Sequence, residues 1–159
     1  MVLDLGCYPG SWSQYSIEKV GPKGVVIGVD MREPESLHAK NFHFIKANVL
    51  QLDQERLASE IGPIDVVISD LAPQTTGVKM VDNSRSMELA RKALNISTLV
   101  LKKDGHFLCK VFEGEDQKKF RDEFSRFFIK THSIRPSAVR KGSREIYLLG
   151  LRFIKSSMG

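Results

Sequence analysis

An acid, a lysine and a second acid stand in this chain where apolar stretches begin or end. Asp70 closes the run 65–70, Lys110 follows Phe107-Leu108-Cys109, and Glu145 opens the alternating segment 145–153. Brought to one sheet edge, such a trio could orient a hydroxyl group and take charge of its proton. Read singly, Lys110 is also compatible with a strand-end lysine whose ammonium reaches water. A second cluster opens the chain: Asp4-Leu5-Gly6-Cys7-Tyr8-Pro9-Gly10 follows an apolar start and precedes Ser11-Trp12-Ser13-Gln14-Tyr15, a helix opening. A strand that ends in an acid and turns through two glycines into a helix presents backbone N–H groups to a nucleotide-like ligand. Asp30, 20 residues beyond Gly10, ends another apolar run and is placed either to accept ribose hydroxyls or to cap the segment after it. Asn48, in Lys46-Ala47-Asn48-Val49, could bond an adenine edge or serve only as a turn residue.

These positions carry meaning only if strands present them together. The pattern predicts strands over 2–5, 25–30, 42–46, 65–70, 106–111, 128–134 and 145–153. Helices are predicted over 11–20, 54–61, 82–101 and 116–127. Gly21-Pro22-Lys23-Gly24 and Gly62-Pro63 stop the first two helices, and Lys103-Asp104-Gly105 reads as a turn. Strand after helix after strand requires crossovers, which implies an α/β domain over 1–159 with a mostly parallel sheet covered on both faces. Ligands bind such sheets beyond the carboxyl ends of the strands. Asp4, Asp30, Asn48, Asp70, Lys110 and Glu145 would then gather at one edge.

The bulk numbers restrict the class. With 159 residues, 42% hydrophobic and 27% charged, the chain can bury a core, and no apolar run approaches the roughly 20 residues that span a bilayer. No signal peptide is visible, which with two cysteines of no metal spacing points to reduced thiols in a cytosol-like compartment. The four scattered histidines predict no metal site. A net charge of +5 favours a polyanionic partner, nucleic acid or an acidic membrane surface, without choosing between them. Lys79, Arg85, Arg135, Arg140, Lys141 and Arg144 are the candidate phosphate contacts, with 135–144 equally readable as a solvated loop. Tyr8 stands where a G-x-G-x-x-G fingerprint needs glycine, so a nicotinamide oxidoreductase is the weaker reading.

Residues 4–14 (D-L-G-C-Y-P-G-S-W-S-Q), 28–30 (G-V-D), 69–73 (S-D-L-A-P), 109–114 (C-K-V-F-E-G) and 143–147 (S-R-E-I-Y) together resemble the FtsJ family of RNA ribose 2′-O-methyltransferases. The opening turn by itself is similar to the loop of methyltransferases that use S-adenosylmethionine (SAM). The resemblance implies a Rossmann-like seven-stranded sheet, last strand antiparallel, with SAM as cofactor. It also implies RNA as substrate, in the branch acting on large-subunit ribosomal RNA. Carried over, Pro9, Gly10, Ser11, Trp12, Asp30, Asn48 and Asp70 would line the SAM site, the family usually having Asp where Asn48 stands. Asp70, Lys110 and Glu145 match the last three members of the family's Lys-Asp-Lys-Glu set. The first lysine belongs to a segment upstream of the first strand, so the resemblance implies that an N-terminal segment is missing here. Enzymes that methylate amino groups usually carry Asp/Asn-Pro-Pro-aromatic at 70–73; the lack of an aromatic residue there favours a hydroxyl target. A transfer RNA substrate, or a catalytically impaired SAM- and RNA-binding module, are the alternatives. The expected location is cytoplasmic, or mitochondrial if a targeting segment precedes residue 1.

Overall fold

A computed structural model describes residues 1–137 and 142–154. Runs of β-branched and aromatic residues form its sheet: β1 (Val2–Leu5), β2 (Val26–Asp30), β3 (Phe42–Lys46), β4 (Ile64–Ser69), β5 (Leu101–Phe112), β6 (Phe128–Ile134) and β7 (Glu145–Phe153). They are ordered β3-β2-β1-β4-β5-β7-β6. β1 to β5 pair in parallel, and β7 runs antiparallel to both of its neighbours. This is the Rossmann-like α/β arrangement expected from the sequence. The direction of chain progression reverses between β1 and β4, which opens a crevice beyond their carboxyl ends.

Both faces are covered, unequally. Trp12, Ile17 and Val20 of α1 (Ser11–Val20) pack with Val2, Val26 and Ile68 on one side. The larger core lies on the other side. There α2 (Gln54–Ile61), α3 (Lys79–Val100) and α4 (Gln117–Ser125) bury Leu57, Met87, Leu94, Ile96, Phe120 and Phe124 against the sheet. Phe107, Phe124, Phe128 and Phe153 form a ladder of aromatic contacts beneath α4. β1 is buried along its whole length, which explains why it shows no polar alternation.

Several boundaries shift by a residue or two from expectation, and three of the differences bear on the site or have a clear cause. β5 starts at Leu101 rather than 106, because Lys103-Asp104-Gly105 forms a bulge and not a turn. Asp104 takes φ 64 there, and the pairing with β4 shifts between Ile64 and Val66. α3 begins at Lys79, ahead of the expected 82. Its start has no side-chain cap; Asp82 Oδ1 instead reaches back to fasten the preceding loop, accepting hydrogen bonds from the Thr76 amide and hydroxyl, both at 2.8 Å. β4 ends at Ser69, so Asp70 stands one residue past the strand. No helix among the described residues is long and apolar enough to cross a membrane.

Candidate active site

Beyond the carboxyl ends of β1 to β4 lies a cleft of about 660 Å³, within the range of small-molecule sites. Each strand end contributes to its lining: Gly6 and Tyr8 after β1, Asp30 and Met31 after β2, Ala47 to Leu50 after β3, and Asp70 to Gln74 after β4. Arg85, Glu88 and Leu89 of α3 close one side. Gly6 is required here: its φ is +82, and a Cβ would lie 2.8 Å from Leu71 Cδ2.

The polar groups of the cleft are held in fixed orientations. Asp30 accepts hydrogen bonds from the amides of Tyr8 (3.0 Å) and Arg32 (3.1 Å). This ties the opening turn to the end of β2 and leaves further lone pairs on both oxygens. The Arg32 guanidinium lies 4.0 Å from the centre of the Tyr8 ring and donates to its hydroxyl. Asn48 caps a single 3-10 turn, Val49–Gln51, through its side-chain oxygen at 3.0 Å from the Leu50 amide. Pro9, Gly10, Ser11 and Trp12 do not line the cleft. Gly10 caps α1 with φ 120, where a Cβ would stand 3.1 Å from Pro34 Cβ, and Trp12 turns its ring onto Tyr147, 5.7 Å away. Asp4 is fully buried behind the turn. Its Oδ2 takes a 2.6 Å hydrogen bond from Ser13, while Oδ1 has no partner among the described residues. Burial, with Asp70 and Asp30 nearby, raises its carboxyl to about 6.

Asp70 forms the joint between the cleft and a second group of residues. Its Oδ1 receives Lys110 Nζ at 2.8 Å and the Tyr147 hydroxyl at 2.8 Å. Lys110 Nζ also lies 3.5 Å from Glu145 Oε1. The three charged residues named from the sequence therefore meet, with the Lys110 side chain only 10% exposed and Glu145 34%. Sheet register does this. Lys110 pairs with Tyr147 and Phe112 with Glu145 across the antiparallel β5–β7 ladder, so 110, 145 and 147 share one face. The sequence pattern does not single out Tyr147, although it stands two residues after Glu145 in an alternating strand, which puts both on one face. Burial first, then the hydrogen bond to Asp70, pushes its phenol well above the usual range. It stays a donor at neutral pH. Both cysteines, buried and pushed up to about 12, remain thiols.

The candidate phosphate contacts divide. Arg135 pairs with Glu113, and Arg144 donates to Asn83 Oδ1 at 2.7 Å. Both are thus engaged within the protein. Lys79 and Arg85 are exposed at the start of α3. Arg140 and Lys141 lie outside the described residues.

Residues 1–153 match the FtsJ-like methyltransferase family. The chain belongs to that family. It is 48% identical to ribosomal RNA large subunit methyltransferase E of Bdellovibrio bacteriovorus, over 95% of this chain and 78% of that protein. The protein of the same name from Borrelia garinii is 42% identical, over 97% of this chain and 80% of its own length. A Plasmodium falciparum structure described as a ribosomal RNA methyltransferase superposes with a TM-score of 0.82 at 26% identity, covering 96% of this chain and 85% of that one. Human methyltransferase-like protein 13, solved with SAH, shares the fold alone, at 15% identity and TM-score 0.65 over 99% of this chain and 74% of that one. The FtsJ-family methyltransferase is thus an enzyme whose cleft and charged trio stand side by side.

Proposed function

We propose that this chain methylates the 2′-hydroxyl of a ribose in large-subunit ribosomal RNA, with SAM as methyl donor. The observation that carries the reading is the double engagement of Asp70, which lines the cleft and also holds Lys110. The donor set fits SAM. Asp30 offers acceptors for a ribose diol, and Met31, Leu50 and Leu89 offer apolar surface for a heteroaromatic ring. Gly6 leaves room for close backbone approach, and Asn48 stands at the same wall. Pro9, Gly10, Ser11 and Trp12 would act by fixing the turn and the start of α1. When bound, SAM supplies a methyl group on a sulfonium, a good leaving group.

The protein then has two tasks, holding the hydroxyl in line and managing its proton. Lys110 Nζ would face the 2′-oxygen and either accept its proton or hydrogen-bond the developing oxyanion. Asp70 fixes Lys110 from the cleft side and Glu145 from the other. The trio suits a hydroxyl better than an aromatic amine, because no aromatic ring in 70–73 is available to stack a base. Support for ribosomal RNA comes from the Bdellovibrio and Borrelia relatives and from the basic surplus. The enzyme would work in the cytoplasm as one methyltransferase domain over 1–159, on ribosomal RNA or an assembled subunit.

The test is to incubate the protein with isotopically labelled SAM and either ribosomal particles or total transfer RNA from cells lacking the gene, and to map the label by mass spectrometry. A single 2′-O-methyl mark in large-subunit RNA is expected. Label on a base, or on transfer RNA alone, overturns the assignment. Binding of SAM with no transfer to either RNA would point instead to a binding module.

Tyr147→Phe should keep the ring on Trp12 but remove the hydrogen bond to Asp70. Turnover is expected to fall about fivefold, with SAM affinity nearly unchanged, since one hydrogen bond to an already paired carboxylate is lost. Steady-state methylation and calorimetric titration would measure both.

A further inference from the structure

The first two turns of α3 touch the chain near each of the three catalytic positions. Asp82, fully buried, binds the Thr76 amide and hydroxyl and so secures the loop that leaves Asp70; the Thr76 amide foremost holds its carboxyl below the usual range. Ser86, also buried, accepts the Phe112 amide at 3.1 Å, two residues after Lys110. Asn83 accepts Arg144 at 2.7 Å, one residue before Glu145. Gly114 lies so close to Asn83 that a Cβ would stand 2.4 Å from its Nδ2. The Arg144 guanidinium also lies 5.7 Å from the Phe112 ring, and its carbonyl takes the Glu113 amide at 2.8 Å. Asn83 therefore touches the exit of β5 and the entry of β7 together.

We propose that Asn83 and Arg144 are positioning residues that set Glu145 against Lys110, with the start of α3 as the shared anchor for all three strand ends. The inference rests on the methyl-transfer reading. Its physical basis is that Lys110 and Glu145 are 3.5 Å apart, a separation sensitive to a small slide of the β7 entry, and sub-ångström placement of reacting groups governs rate. Arg144 would then serve inside the protein and not as a phosphate contact.

A double-mutant cycle tests this with labelled SAM and gene-deleted ribosomal particles, on Asn83→Ala, Glu145→Ala and the pair. Asn83→Ala should lower kcat about fivefold and leave SAM affinity nearly unchanged, while in the Glu145→Ala background it should cost less than about twofold. Asn83→Asp, which keeps the acceptor, should restore kcat. Should Asn83→Ala fail to fold, Arg144→Met removes the donor while keeping an apolar stem beside Phe112, and must show the same non-additivity. Equal losses in both backgrounds, a loss that follows melting temperature, or a variant as fast as wild type overturns the inference alone. Wild-type protein that methylates no RNA overturns the functional reading beneath it.

Discussion

Replacing Lys110 by alanine is expected to reduce methyl transfer by about 10³-fold while leaving SAM affinity nearly intact. The size comes from the place of the side chain: its ammonium lies between two carboxylates at the edge of the cleft. Groups that move a proton or stabilise developing charge are worth about 10² to 10⁴ in rate. Cofactor affinity should survive because Asp30, Asn48 and Gly6 line the cleft while Lys110 does not. Removing the ammonium leaves Asp70 and Glu145 facing each other, so Lys110→Met, closer in volume, should be run beside it with melting curves. Lys110→Arg separates the two roles open to the residue. An arginine cannot give up its proton at neutral pH, so partial activity would indicate electrostatic anchoring and complete loss would indicate proton transfer. Full turnover in Lys110→Ala would remove the residue from the mechanism.

A second large effect is expected at Asp4, in stability. Desolvation is the main cause that raises its carboxyl from 3.8 to about 6; the Ser13 hydrogen bond opposes the rise, and Asp70 and Asp30 add to it. A raised acid favours the folded state in its protonated form. Its contribution is therefore fully present below the unfolded value of 3.8 and is lost as the pH climbs through about 6. The difference corresponds to about 3 kcal/mol. Asp4→Asn keeps an acceptor for Ser13 and does not titrate. Urea unfolding of both proteins across pH 4 to about 8 should show the variant gaining on wild type by that amount as the pH rises, mostly between about 4 and 6. A difference that stays flat with pH would mean that the buried oxygen finds a donor.

Much of this was legible in the residues. β3, β6 and β7 have the bounds that alternation and aromatic content predict, and α1 and α2 stop where Gly21 and Gly62 interrupt them. These are local effects, set by side-chain period and backbone freedom. Differences arise where distant groups decide. The Asp104 bulge depends on its pairing with β4 and on the Arg152 guanidinium, which binds Asp104 Oδ1 at 2.9 Å. The start of α3 depends on a carboxylate reaching back to Thr76, with no capping side chain at Val78 to announce it.

The same division holds at the site. Residue types, the glycine turn and the strand-end acids determined by themselves the α/β class and named Asp70, Lys110 and Glu145, while the motifs around them carried the FtsJ resemblance that the family match then showed. That Tyr147 joins them, that Arg135 and Arg144 are spent on internal partners, and that Gly6 and Tyr8 rather than Pro9 to Trp12 wall the cleft were decided only in three dimensions. Local sequence sets which face a side chain takes along its own strand. The register between β5 and β7, fixed by the packing of the whole sheet, sets what that side chain meets.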